Sequence, residues 1–366
     1  MKQFRGPAFD RREMVKALSA LGVSLVTFPL YGRSARAAGE ISGLTWAGYD
    51  LPELMGGYLE KYGGPPEFSY IADDDTAFEK VRAGFAPDFV HPGNYIVQRY
   101  FDAGLIQPID TSRVTTWPDL APGMVNLNGT MFDGAHYFVP AEFGNSSVVY
   151  RTDLVDPEYV ENNSWAIMYD DRYANRLAWR DSARPTIVVA ALMKGFDNVF
   201  SLSDEQLGEV KPLVEKQRDI TRFYWSDVTE VERAIASGEV VAGFAWNQTF
   251  TSLLSEDVPV GYMTPKEGVL AWGSGFVIHK DAKDLDAVYT YIDAWTSPES
   301  GAWLIDNYGY GSANLKAYDL VPPERRAELG YEDPEALIDN TIFLEAMTPD
   351  IQGKYETLYS DVRAGA

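Results

Sequence analysis

The sequence contains no cysteine. That excludes a disulfide framework, thiolate metal sites and a cysteine nucleophile. Histidine is nearly as scarce. His91, His136 and His279 are the only three in 366 residues, and none has a partner at metal-ligand spacing, so no metal site is expected. There is no G-x-S-x-G elbow, P-loop or H-E-x-x-H motif. "GYGSAN" (309–314) lacks the third glycine of a dinucleotide fingerprint and reads as a turn. No cofactor and no catalytic residue are expected. Basic residues are few: 31 against 54 acidic ones, a formal net charge of −23, which would repel a nucleic-acid backbone. With so many carboxylates, counting does not eliminate a glycosidase pair, but nothing in the sequence singles one out. After residue 37 no apolar run is long enough to cross a membrane.

The first 37 residues read basic, then apolar, then small. Lys2, Arg5, Arg11, Arg12 and Lys16 precede "ALSALGVSLVTFPL", and Ala35-Arg36-Ala37 forms an A-x-A cleavage signature. The expected product begins at Ala38. Adjacent arginines in "DRREMVKAL" resemble a twin-arginine export signal, with a Sec signal as the alternative. Removing seven basic and two acidic residues with the signal takes the net charge to −28. The destination expected is the bacterial periplasm.

The whole sequence is 46% hydrophobic and 23% charged, which is globular, and its length suits two lobes. It alternates strand-like and helix-like segments. "ISGLTWAGY", "EFSYIA", "PDFVHPG" and "LIQPID" read as strands; "LPELMGGYLEKYGG", "DDDTAFEKVRAG" and "NYIVQRYFDAG" read as helices between them. "AHYFVPAEFGNSSVVYRTDLV" reads as two strands around a Gly-Asn-Ser-Ser kink. A second series then runs from "RLAWRDS" through "ARPTIVVAALMKG" to "VTEVERAIASGEVVAGFAWN". The rhythm predicts two α/β lobes joined without a low-complexity linker.

Aromatic residues recur at strand ends beside small or polar neighbours: Trp46 and Tyr49 in "TWAGYD", Tyr95 in "HPGNY", Trp246 in "FAWNQ", and Trp272 in "AWGSG". Each alone suits core packing. Together, at the carboxyl ends of strands, they suit the wall of a ligand cleft and a cage for a cationic or alkyl-chain solute. Gly273 and Ser274 are read as leaving space for ligand beside Trp272.

In order and spacing, "LTWAGYDLPELM", "APDFVHPGNYIVQRYFDAGLIQPID", "SWAIMYDDRYANRLAWRDSAR", "SGEVVAGFAWNQ", "KEGVLAWGSGFVIHKDAK" and "YGYGSANLKA" resemble the bacterial spermidine/putrescine-binding proteins, periplasmic receptors of ABC importers, over nearly all of residues 40–366. The resemblance implies a type II-like periplasmic-binding fold, with two α/β lobes joined by crossing strands around a central cleft. It implies a first lobe of residues 38–147 and 273–318 and a second of 148–272 and 319–366. It implies ligand stacking by Trp46, Tyr49, Tyr95, Trp246 and Trp272, joined by Tyr310. It implies a small amine-like solute as ligand, an inner-membrane permease as partner, and a monomer.

The family's amine-binding carboxylates are missing. The positions that would carry them hold Gly48, Ser182, Pro185 and Ser274. Burying an ammonium without a counter-charge costs several kcal/mol, while each cation–π contact returns about 0.5–2 kcal/mol. Three readings follow. The acids have moved, with Asp50, Glu142, Asp181 and Glu345 as candidates. Or the ligand is a diffuse quaternary ammonium. Or it is a zwitterion or opine-like conjugate received by the hydroxyls of Ser146, Ser147, Ser182 and Ser274. A periplasmic hydrolase on the same scaffold, and a sensor subunit, are the rival functions.

Overall fold

The computed structural model of the protein describes residues 40–339 and 341–365. The export signal expected over 1–37 lies outside them. Eight strands make the backbone of one twisted sheet: β1 (Ser42–Trp46), β2 (Glu67–Ile71), β3 (Phe89–Val90), β4 (Val139–Arg151), β5 (Leu177–Arg180), β6 (Thr221–Trp225), β7 (Ala242–Trp246) and β8 (Leu270–His279). Their spatial order is β2-β1-β3-β8-β4-β7-β5-β6. The outer strands on each side run parallel, Thr45 beside Tyr70 and Ala178 beside Phe223, as βαβ crossovers require. The central pair, β4 and β8, is antiparallel.

Two hydrophobic cores lie on either side of that pair. One gathers Ile41 to Phe143 and Phe276 to Ile338; the other gathers Val148 to Leu270 together with Tyr355, Tyr359 and Val362. β4 and β8 therefore each begin in one core and end in the other. A third crossing is made by Ile342–Phe343, parallel to β8 with Leu270 beside Ile342. The boundary drawn at 318/319 needs correction for the stretch that follows it. Val321, Tyr331 and Ile338 pack in the first core, where the Tyr331 hydroxyl donates to the Gly309 carbonyl at 2.9 Å. From Ile342 the chain returns to the second core, with Leu344 and Met347 packing there ahead of the last helix.

The Gly-Asn-Ser-Ser kink is also absent. β4 runs unbroken for 13 residues, because Gly144 to Ser146 pair with β8 on one side and Ser146 and Ser147 with β7 on the other. Gly144 lies opposite Trp272, and Ser146 and Ser147 lie opposite Trp246 and Ala245. Gly144 serves close approach rather than turning. A Cβ there would sit 2.2 Å from the Trp272 indole.

Helices α1 (Asp74–Arg82), α2 (Ala183–Met193) and α4 (Pro349–Ala364) line the site, and α3 (Asn247–Ser255) carries Gln248, which accepts from the Tyr310 hydroxyl at 2.9 Å. α1 is capped by Asp73, whose carboxylate accepts from the Thr76 amide at 2.7 Å, with acids in its first turn and bases in its last. α2 is apolar almost all round, with Thr186 to Leu192 buried, so it can only be a core helix. No helix among the described residues is long and apolar enough to cross a membrane.

His279, at the end of β8, is buried, and its Nδ1 accepts from the Asp281 amide at 3.2 Å. Burial pushes its pKa down, with Asp281 opposing in part; burial also lowers His136. A depressed folded-state pKa contributes stability that is full above the unfolded value, about 6.5, and is lost as pH falls through the folded one. The raised carboxyl of Asp74 has the opposite sign, so a paired comparison isolates the histidine. His279→Gln should melt below the parent at pH 7.5, and the gap should shrink as the pH falls to about 5. A gap independent of pH would contradict this.

Candidate ligand-binding cleft

A cavity of about 190 Å³ opens where both cores meet the crossing strands. The first core supplies Asp74 and Tyr95, the crossing strands supply Ser146 and Trp272, and the second core supplies Arg180, Ser182, Arg184 and Phe244. α4 closes one side with Gln352, Tyr355 and Glu356.

Asp74 opens α1 and is buried. Its Oδ2 accepts from the Tyr95 hydroxyl and its Oδ1 from the Gly93 amide at 3.2 Å. Desolvation raises its pKa, and those two hydrogen bonds pull the other way. The Tyr95 hydroxyl is pushed well up by burial and then by Asp74. Across from this pair stand two guanidiniums. Arg184 lies over the Tyr95 ring, 4.8 Å from its centroid, and Arg180 lies over Trp246 at 5.1 Å. Arg180 ends β5. It is surrounded by protein on most sides, which lowers its pKa, yet its side chain remains open to solvent, as expected of a group lining a cleft.

The expected aromatic wall is partly assembled. Trp272 meets Tyr310 edge-on with ring centroids 5.0 Å apart. Tyr310 meets Tyr308 at 6.0 Å, and Tyr308 stacks on Tyr49 at 6.3 Å, so these four rings form a continuous file. Tyr95 shares the cavity with Trp272. Trp246 stands apart from the file, edge-on to Trp225 at 5.2 Å. Trp46, the last residue of β1, is half-buried against the first core.

The candidate acids scatter. Asp181 accepts from the Tyr359 hydroxyl at 2.5 Å and faces Arg363, so it points at α4. Glu345 lines a separate groove of about 660 Å³ with Asn94, Leu127 and Phe200. Asp50 accepts from the Tyr70 hydroxyl at 2.7 Å. Glu142 is fully buried beneath the aromatic file, its Oε2 3.2 Å from His91 Nε2. Its Oε1 makes no hydrogen bond of normal geometry, although Glu142 is close enough to the Tyr49 hydroxyl to add to the rise that burial imposes on it.

The small residues also divide. Ser146 lines the cavity, and Ser182 precedes α2 without capping it. Ser147 is buried and donates to the Met263 carbonyl at 2.7 Å. Ser274 is buried at an isolated bridge to Gly93. Gly273 and Ser274 therefore do not open space beside Trp272. A Cβ on Gly273 would meet Leu127 and Met124 side chains instead. Asp74, Arg180 and Arg184 were not singled out in the sequence. Asp74 looks like a helix-start acid in "DDDTAF". The two arginines flank the very positions, 182 and 185, where acids were expected.

Among the described residues no group of three or more histidine, aspartate or glutamate side chains could hold a metal ion. The family model for bacterial extracellular solute-binding proteins matches residues 58–330. The chain belongs to that family. It is 25% identical over 323 residues to the spermidine/putrescine-binding periplasmic protein of Salmonella typhimurium, covering 87% of this chain and 90% of that one. The spermidine/putrescine ABC transporter substrate-binding protein PotD from Streptococcus pneumoniae superposes with a TM-score of 0.78 at 22% identity, covering 89% of this chain and 98% of that one. MotA from A. tumefaciens B6, solved in complex with glucopine, has a TM-score of 0.68 at 18% identity, covering 88% and 99%. These two structures share the fold of the solute-binding chain.

Proposed function

We propose that this chain is the periplasmic receptor of an ABC importer. It takes an amine-bearing solute into the cleft between its cores and delivers it, as a monomer, to an inner-membrane permease. The observation that carries the reading is the cavity itself. Asp74 with Tyr95 from one core, Arg180 and Ser182 from the other, and Trp272 on the crossing strand meet around it. A solute touching all of them would hold the two cores together, which is how a two-lobed receptor presents a closed form. Asp74 supplies a buried carboxylate for an ammonium, and the Trp272–Tyr310 file supplies aromatic faces. No covalent step is required.

The names of the relatives make spermidine and putrescine the first probes. The missing acids at 48, 182, 185 and 274 bring quaternary ammonium and opine-like compounds beside them. Residues 38–366 would be unfolded and refolded to strip carried ligand. They would then be titrated by calorimetry with spermidine, putrescine, choline, glycine betaine and an opine-type conjugate. One-to-one binding at about 1 μM or tighter by at least one of these is expected. No binding by any, or chemical consumption of a bound compound, would overturn the reading, the latter in favour of a hydrolase.

A further inference from the structure

We propose that Arg180, with Arg184 beside it, receives a carboxylate of the solute, so that the ligand of this cleft is zwitterionic rather than a polyamine. The inference rests on the receptor reading above and names the substrate class for the same site.

Arg180 is the last residue of β5 and faces the cavity from a strand's carboxyl end, the position from which open α/β sheets contact ligand. Neither the Arg180 nor the Arg184 side chain makes a hydrogen bond or ion pair among the described residues. Arg99, Arg113, Arg172 and Arg222, by contrast, all reach carboxylates. Arg180 is partly desolvated, which depresses its pKa, and an anion would offset that cost. The guanidinium fork matches a carboxylate with two parallel hydrogen bonds.

The aromatic faces point the same way. Trp246 and Tyr95 were expected to stack on ligand cations, but each already carries one of the protein's own guanidiniums, at 5.1 and 4.8 Å. A ligand ammonium placed there would meet like charge. An anion would meet two arginines and the Ser182 hydroxyl, which is not spent on capping α2. A phosphate is a poorer fit than a carboxylate, because Asp74 and Glu356 share the cavity and would repel a doubly charged group. Asp74, bound by Tyr95, is left for the ammonium end of the same molecule.

The test uses putrescine, 4-aminobutanoate, lysine and an opine-type N-carboxyalkyl amino acid, titrated into the purified exported protein and its Arg180→Gln and Arg180→Glu variants. Arg180 makes no side-chain hydrogen bond that its loss would orphan, so both variants are expected to fold and to melt cooperatively, which thermal melting checks. At least one carboxylate-bearing amine should bind the parent ten or more times more tightly than putrescine. Arg180→Gln should weaken it at least about 30-fold, about 2 kcal/mol at 1.4 kcal/mol per tenfold. Arg180→Glu should improve putrescine binding, a gain that a merely structural arginine would not produce. Putrescine binding the parent best, unaffected by Arg180→Gln, would overturn the inference and leave the receptor reading intact. Failure of all four compounds to bind the parent would overturn both.

Discussion

Trp272→Ala should weaken solute binding by at least about tenfold and leave a folded protein. The indole lines the cavity at the point where β8 crosses between cores, and it is held there from two directions. Gly144 lies directly beneath it, where a Cβ would come within 2.2 Å of Cζ2, and Tyr310 meets its face edge-on at 5.0 Å. A cation–π or stacking contact with ligand is worth about 0.5–2 kcal/mol, and lost apolar contact adds to it. Trp272 is only half-buried, so its removal does not open a core cavity. Gly144→Ala should mimic the binding loss without touching a ligand contact, because the methyl displaces the indole. Trp272→Phe should recover part of the affinity. Calorimetric titration of the three variants checks this, and full affinity in Gly144→Ala would show that the indole does not need its place.

Gly275→Ala is expected to cost more than about 4 kcal/mol of stability, enough to abolish soluble expression or collapse the melting transition. The pairing of β8 with β4 shifts register between Ser274 and Gly275. At that irregularity a Cβ on Gly275 would lie 2.1 Å from the Val139 carbonyl oxygen and 2.8 Å from Pro140 Cα. Both are backbone atoms, which cannot swing aside as a side chain can. Gly273→Ala is the control. Its Cβ would meet the Leu127 and Met124 side chains at 2.9 and 3.2 Å, both of which can adjust, so a loss of about 1–2 kcal/mol is expected. Thermal melting of the two variants separates them, and similar melting temperatures would contradict the distinction.

These two glycines show what was legible in "AWGSG" and what was not. The unusual juxtaposition of a large residue and small ones was visible in the sequence, but its cause was misassigned. The small residues allow strands to cross and pair at close quarters; they do not hollow out a ligand pocket. The strand–helix alternation and the aromatic strand ends could be read because hydrophobic period and turn residues are local signals. The continuity of β4 could not, since Gly-Asn-Ser-Ser is a turn-like string until two other strands pair with it. The Asp74–Tyr95 pair is similarly hidden. It joins a helix start to a single 3-10 turn 21 residues on, and nothing local distinguishes Asp74 from Asp73 or Asp75. Asp181 was drawn off by Tyr359, 178 residues away, which no neighbour in the sequence announces. Arg180 and Arg184 are set apart by lining the cleft without a side-chain hydrogen bond or ion pair, and that is a fact about tertiary placement.

The central claim is that one solute touches both cores at once. Amide hydrogen–deuterium exchange tests it most directly, measured with and without the titrated compound that binds most tightly. The account predicts slowed exchange together at residues 93–96 of the first core, at 182–186 of the second, and at 270–272 on the crossing strand. Protection confined to one core, or to 123–128 and 195–201 around the other groove, would contradict it.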